Sequence, residues 1–431
     1  MAKTAWIISI NMGYGHQRTA YPLKSFAEGG KIVSANDYSG IPEDDRKIWE
    51  SSRGFYEFVS RFKKVPFLGE FAFYLFDLTQ KINEFYPKRD LSSSSFTQRR
   101  TFPLFKKGWG KDLIEKCSKK NIPFVSTFFN PAFMAEYFKY PREIFCVVCD
   151  TDISRSWAPM NPKKSKIKYF APTQRVVDRL RLYGVKKENI VLSGYPLPME
   201  NIGTKKMETL KEDMGKRLLN LDPSKRYINN YGSLITEKIG KLPKESKRPL
   251  TIMFTVGGAG AQKEIGIELI RRLKRSISEG RLRVILVAGI KKNIKDYFEK
   301  EINNGGLGDL VGQGIEIIYE NTFEKYYDSF NLALRNTDIL WTKPSELSFY
   351  AGLGLPIIIA PTIGSQEEFN RSWLIKSGYG AEQRDIEHVK DWLFDWLESG
   401  YFAKMAMQGF IEVEKMGTFK IKEEIQKCSG L

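Results

Sequence analysis

Between residues 249 and 400 the chain repeats one pattern: a short, continuously apolar run, then a helical segment with a single apolar face. The runs are TIMFTVGG, LRVILVAG, GIEIIYE, DILWTK and LPIIIAP. After the first of them, Ile265, Leu269 and Leu273 recur every four residues, which places them on one side of a helix. A strand with one wet face alternates apolar and polar residues. Strands apolar throughout need cover on both faces, and intervening helices supply it in a parallel sheet. The first half follows the same grammar in WIISIN, KIVSAND, VSTFF, EIFCVVCD, KYFAP and NIVLSGYP, with HQRTAYPLKSFAEG as its first helix. The expected fold class is therefore α/β, with two Rossmann-like domains whose parallel sheets face each other across a cleft. The first spans 1–200 and carries a helical, aromatic and basic insertion at about 43–120. A Lys-rich connector at 201–248, a second domain at 249–400 and a helical tail at 401–431 complete the chain. Residues 227 to 248 carry no motif.

Lys and Arg number 68 against 51 Asp and Glu, a formal net charge of +17. Such an excess calls for an anionic partner: nucleic acid, an acidic membrane surface or a phosphorylated substrate. Four cysteines are too few for a secreted disulfide framework and fit a reducing compartment. Cys146 and Cys149 have metal-like spacing, but no second pair or His follows them, and the apolar run around them reads as a buried strand. Only two His occur, which excludes a His-rich metal centre. MAKTAWIISIN has no signal-peptide pattern, and no apolar run reaches the roughly 18 residues of a membrane span.

Candidate sites sit where strands end and helices begin, because ligands of such sheets bind beyond the carboxyl ends of the strands. Gly13, Gly15 and His16 follow the first strand. The glycines permit a tight turn and close approach by a ligand. His16 reads as a catalytic or ligand-orienting side chain, or as a polar cap of the helix. Gly257, Gly258, Gly260, Ala261 and Gln262 repeat the arrangement in the second half. A glycine turn opening a helix offers free N–H groups and the positive end of the helix dipole to an anion. Without a following Gly-Lys-Ser/Thr, a diphosphate is a better fit than a Walker loop. Lys343 follows DILW, and Gly364, Gln366, Glu367 and Asn370 follow LPIIIAP. Acidic residues there favour the helix itself; Gln and Glu also hydrogen-bond sugar hydroxyls.

Taken in order, G-x-G-H, D-x-D, G-G-x-G-A-Q, T-K-P, G-L-P and G-x-Q-E-E-x-N resemble glycosyltransferase family 28 over about residues 5 to 400. Within that family the motifs look like those of the diacylglycerol glycosyltransferases, monogalactosyldiacylglycerol synthase among them. The resemblance implies the two-domain GT-B fold, with a nucleotide sugar held mainly by the second domain. Gly257, Gly258, Gly260, Ala261 and Gln262 would then face the diphosphate, and Gln366, Glu367 and Asn370 the donor sugar. The family's ribose-binding Glu has no direct counterpart. Phe349 aligns with it, and Glu346, one helical turn earlier, is nominated in its place. The T-D-x-D of the family stands here as Cys149-Asp150-Thr151-Asp152, on the acceptor side. An inverting transfer needs a base for the acceptor hydroxyl. Asp150 is the first candidate and His16 the second, while Asp152 organises the acceptor loop. Asp150 also reads as a strand-end turn cap.

Phe55, Phe58 and Phe62 recur at helical spacing in the insertion and read either as core or as acceptor-binding surface. Lys88, Arg89, Arg99, Arg100, Lys106, Lys107 and Lys111 follow them. Aromatic helices with basic flanks suit an anionic membrane. Nucleic acid is the rival use of the charge, through Lys163, Lys164, Lys166 and Lys168, but no nucleic-acid-binding motif accompanies them. A nucleotide-sugar epimerase of GT-B fold is the rival activity, and it would leave the insertion without a purpose. The sequence-based expectation is a cytoplasmic, membrane-peripheral, inverting hexosyltransferase. It would use a nucleotide sugar, expected to be UDP-linked, and a lipid or amphipathic acceptor, with no cofactor and no obligatory metal.

Overall fold

Each continuous apolar run contributes a strand, and several of these are buried along their whole length. The computed structural model describes residues 4–51, 82–87, 89–257, 260–362 and 365–428. Every residue of β7 (Leu250–Thr255) is buried, as are those of β10 (Ile339–Thr342) and β11 (Ile357–Ile359). With β8 (Leu282–Gly289), β9 (Ile315–Tyr319) and β12 (Gly380–Glu382) they form a six-stranded sheet in the order β12-β11-β10-β7-β8-β9. The first half builds a second six-stranded sheet, β2-β1-β3-β4-β5-β6, from β1 (Ala5–Ser9), β2 (Ala27–Ser34), β3 (Phe124–Ser126), β4 (Ile144–Val147), β5 (Lys168–Ala171) and β6 (Ile190–Leu192). All pairings within both sheets are parallel. The fold class is thus the expected α/β one, with two Rossmann-like sheets.

In each sheet the chain grows one way and then reverses. It lays β7, β8 and β9 outward, then returns to the other side of β7 for β10 to β12. The connections diverge between β7 and β10, and the carboxyl ends of the strands at such a reversal are where α/β sheets bind ligands. In the first sheet the reversal falls between β1 and β3.

Contacts divide the chain into Met1–Pro196 with Met416–Leu431, and Leu197–Lys415. The stretch expected as a connector, 201–248, lies inside the second unit. Its helix Glu208–Leu221 buries Leu210, Met214, Leu218 and Leu221. Arg217 on the same helix is fully buried and donates to the carbonyls of Leu334, Thr337 and Leu353. Lysine content hid this apolar face. The expected tail divides as well. Helix Tyr401–Glu412 belongs to the second unit, whereas Gly417–Cys428 returns to the first and adds Ile421 and Ile425 to its core.

Two helices differ from expectation. The first α-helix stops at Ala20, and Tyr21–Phe26 continues as 3₁₀ with Pro22 in its first turn. The chain enters β2 at Ala27, where Gly29 and Gly30 take positive φ and let extra residues loop out of the β1–β2 register. The segment after β10 is also 3₁₀, Glu346–Leu353, and is buried along its length. Of the insertion, helices Phe96–Lys106 and Lys111–Ser118 are described, and Phe105, Trp109, Leu113, Ile114 and Cys117 are core residues. Phe105 and Trp109 of this second part are therefore packing residues, whereas Phe96 is exposed. Phe55, Phe58 and Phe62 lie outside the described residues.

Candidate functional site

In the first unit, the loop after β1 carries Gly13 in a left-handed conformation, φ 85°, with open space where a side chain would stand. Asn36, just past β2, grips this loop. Its Oδ1 accepts from the Asn11 amide at 2.7 Å, and its Nδ2 donates to the Asn11 carbonyl at 3.3 Å. Gly15 opens the helix Gly15–Ala20, which places His16 over the end of β3. There His16 Nδ1 lies 2.8 Å from the Thr127 carbonyl oxygen. A carbonyl can only accept, so Nδ1 carries the proton and Nε2 is the basic nitrogen of the neutral ring. Phe128 meets the imidazole edge-on at 4.8 Å, and Trp157 lies 6.2 Å away. The ring is thus held in one tautomer and one orientation at the carboxyl end of the β1–β3 junction, where the sheet reverses.

The Cys149–Asp152 segment comes up beside it. Cys149 Sγ is 3.5 Å from His16 Nδ1 and 3.9 Å from Asp150 Oδ2. Asp150 is half-buried. Asp152 turns inward and is buried. Its Oδ1 and Oδ2 accept from Arg179 Nε at 2.9 Å and Nη2 at 2.8 Å, and Oδ2 also accepts from Arg175 Nε at 2.6 Å. The Ile153 amide takes a further contact at 2.9 Å. Burial works against the Arg179 charge, but the bonds to Asp152 outweigh it and hold its pKa above the ordinary value. Arg179 also donates to the Asn83 carbonyl, and Phe85 lies under both guanidinium groups. The carboxylate is spent on fixing this loop. Cys146 of the C-x-x-C pair is fully buried in β4, and burial pushes its thiol pKa up. It is a packing residue, and both cysteines are free thiols.

In the second unit, the turn after β7 meets the end of β10 at the other reversal point. Gly260 has φ 71°, and its amide donates to the Gly257 carbonyl at 2.7 Å. Gln262 takes a left-handed φ of 65° before helix Lys263–Arg272, and its Nε2 donates to the Pro361 carbonyl at 2.7 Å. Gln262 therefore ties the turn to the end of β11. Ala261 is half-buried beside it. A Cβ on Gly257 would stand 2.3 Å from Lys343 Cε. The lysine thus crosses directly over the glycine, and its Nζ pairs with Glu367 at the start of helix Ser365–Lys376. Thr255 and Thr342 join the two strand ends below, 2.7 Å apart between hydroxyls. The result is a glycine turn under a cation, itself under a carboxylate.

Glu346 is buried in the first turn of the 3₁₀ segment after β10. Residues three apart eclipse in a 3₁₀ helix, so Glu346 lies in line with Phe349. Phe349 itself packs on Trp373, 5.5 Å between ring centres. Asn370 is buried. Gly258, Gly364 and the Gln366 side chain lie outside the described residues. Among the described residues no cluster of three or more His, Cys, Asp or Glu is arranged to hold a metal ion, and no helix is long and apolar enough to cross a membrane.

Sequence reasoning missed the partners that fix His16, namely Thr127, Phe128 and Trp157. The β1–β3 adjacency brings Thr127 and Phe128 there, and the loop after β4 brings Trp157. It also missed Gly266. A Cβ there would stand 2.8 Å from Phe254 and 3.0 Å from Leu286, so this glycine lets the helix press onto its sheet. Its position four residues after Gln262 was a usable signal.

A family model described as "Domain of unknown function (DUF6938)" matches residues 240–309. That stretch contains β7, the glycine turn and β8. No curated protein matches the chain. Among solved structures, the chain is similar to S. aureus MnaA, solved with UDP, at 12% identity and a TM-score of 0.49, covering 99% of this chain and 96% of that one. It is similar to Acinetobacter baumannii MurG at 12% identity and a TM-score of 0.47, covering 99% of each chain. It is also similar to the UDP-GlcNAc 2-epimerase of Neisseria meningitidis, bound to UDP-GlcNAc, at 13% identity and a TM-score of 0.42, covering 80% of this chain and 84% of that one.

Proposed function

We propose that this protein is an inverting hexosyltransferase of GT-B type, close in kind to the diacylglycerol glycosyltransferases. It would take a hexose from a UDP-sugar and pass it to a lipid or amphipathic acceptor at an anionic membrane surface on the cytoplasmic side. The observation that carries this reading is a coincidence. The two glycine loops singled out by sequence fall at the two places where the sheets reverse, which is where α/β sheets bind ligands. In the second unit, the turn from Gly257 to Gln262 and the Lys343 ammonium would take the diphosphate. Glu367 and Asn370 would take the sugar hydroxyls. The acceptor oxygen attacks the anomeric carbon, the bond from that carbon to the phosphate oxygen breaks, and UDP leaves. The acceptor proton passes to a base, and the fixed tautomer of His16 favours its Nε2 over Asp150 for that role. Charge on the departing diphosphate is met by Lys343 and backbone N–H groups, so the reading requires no metal.

Support for the membrane side is the charge of +17 and the exposed Arg99, Arg100, Lys106 and Lys107 along one described helix. Each such residue near an anionic surface contributes about 1 kcal/mol.

His16→Asn is the sharpest test. Asparagine keeps a donor near the Nδ1 position for Thr127 and removes Nε2. Turnover of a UDP-hexose with lipid extract should fall about 10²- to 10⁴-fold, with UDP affinity unchanged by calorimetry. Retained turnover removes His16 as the base and returns the role to Asp150, to be read in Asp150→Asn. Product analysis in the same assay separates transfer from epimerisation: an epimerised nucleotide sugar with no glycosylated acceptor would overturn the transferase reading.

A further inference from the structure

The stretch from 227 onward has no part in the proposed transfer, yet it folds into the helix Arg226–Lys238 and forms one wall of a pocket of about 530 Å³. The opposite wall is the end of helix Val389–Glu398 and the start of helix Tyr401–Glu412. This volume lies within the usual range for a small-molecule site, roughly 300–1,000 Å³.

Two kinds of side chain line it. Arg226, Arg384 and Lys404 bring three cations, and no Asp or Glu is among the lining residues. Among the described residues none of the three pairs with a carboxylate, whereas most arginines of this unit do, as Arg248, Arg271, Arg335 and Arg371 show. The rings form two pairs. Tyr227 and Tyr231, four residues apart on this helix, have ring centres 4.6 Å apart; the backbone leaves helical geometry at Tyr231 (φ −123°, ψ 23°), which stays 48% exposed. Trp396 and Tyr401 are 5.5 Å apart, with the Arg384 guanidinium 5.4 Å above the indole. Asn230 and Ser399 add neutral hydrogen-bonding groups.

Unpaired cations select an anion, and the absence of carboxylates disfavours a cationic ligand. Flat aromatic faces take the C–H face of a saturated ring, and the neutral polar groups take its hydroxyls. We infer that this pocket binds a phosphate carried on a polyhydroxylated ring, either as a free sugar or cyclitol phosphate or as the same group at the head of a phospholipid. The site shares no residue with the Gly257–Lys343 turn and does not depend on the transferase reading.

The test uses the full chain and myo-inositol 1-phosphate, followed by calorimetry. The wild type should bind it at least tenfold more tightly than inorganic phosphate or myo-inositol alone. The Arg226→Ala/Lys404→Ala variant should weaken binding at least tenfold and Tyr231→Ala about threefold or more, all at unchanged Tm, since these side chains are exposed. Lys343→Ala should bind as the wild type does. In a second arm, phosphatidylcholine vesicles carry phosphatidylinositol or phosphatidylglycerol. Preferential capture by phosphatidylinositol, lost in the double variant, assigns the head-group source; binding of the free phosphate alone assigns the soluble one. Equal capture by both vesicles with no binding of the free ligand, equal binding of inorganic phosphate, tighter binding of UMP, or variants indistinguishable from wild type would each overturn the inference.

Discussion

Gly257→Ala tests the geometry of the second loop in a way no deletion can. Gly257 is not in the left-handed region, so alanine adds no backbone strain; the obstacle is Lys343, whose Cε and Cδ would lie 2.3 and 2.9 Å from the new Cβ. Carbon atoms pack at about 3.5–4.0 Å, so the lysine must leave. Leaving breaks its pair with Glu367, whose partners are 21% and 15% exposed. Discounted for that residual solvent, the pair stabilises by about 1 kcal/mol. Against this, replacing Gly by Ala at a compatible conformation stiffens the unfolded chain and contributes about 0.4–1 kcal/mol. In the wild type the two effects oppose, and Gly257→Ala should be near neutral or mildly destabilising. In Lys343→Ala the obstacle is gone, and the same substitution should stabilise. The coupling in the double-mutant cycle is therefore about 1 kcal/mol, or about 2–4 °C in Tm for a unit of this size. Thermal and denaturant unfolding of the four proteins measures it. If Gly257→Ala has the same effect with and without Lys343, the lysine does not lie over the turn. Under the transferase reading, UDP affinity should fall in both single variants, because each removes the ammonium from above the turn.

Asp152→Asn should cost about 3–5 kcal/mol by denaturant unfolding, as breaking a buried ion pair does; an effect below 1 kcal/mol would mean Arg179 and Arg175 find other partners. Gly266→Ala should cost about 1–3 kcal/mol from overpacking on Phe254 and Leu286 and, under the transferase reading, leave the UDP affinity of the folded fraction unchanged; a neutral effect on stability would show that the helix has room to lift. Burial raises the Asp45 carboxyl pKa above its ordinary value, although Oδ2 accepts from the Gly110 amide. A raised folded pKa penalises the charged form at neutral pH, and the penalty fades as pH falls through the raised value and is gone below about 3.9, the unfolded carboxyl. Asp45→Asn should accordingly be more stable than wild type at pH 7, with the gap closing toward pH 3.5; a gap that is constant with pH would refute the assignment.

The fold class was legible because covering both faces of a strand leaves a pattern that is local in sequence. Apolar runs such as IMFT and LRVILVAG, rich in β-branched residues and short, suit strands covered on both faces, and they became buried strands. The glycine turns were legible for the same reason, since a strand end, glycines and a helix start stand side by side in the chain. The 201–248 segment was misread because lysine content is a bulk property, whereas Leu210, Met214 and Leu218 mark a face only once the helix exists.

Everything that gives these loops their neighbours was decided in three dimensions. Strand order is not written in any one strand, so the sequence held nothing to say that β3 lies beside β1 or β10 beside β7. From that order follow the Thr127 carbonyl that fixes the tautomer of His16, the passage of Lys343 over Gly257, and the turning of Asp152 toward Arg179. The sequence by itself determined which elements form, because hydrophobic periodicity and turn chemistry act over a few residues. The tertiary structure alone decided which side chains meet, because those contacts join residues between 27 and 111 positions apart and exist only after the sheets have closed their order.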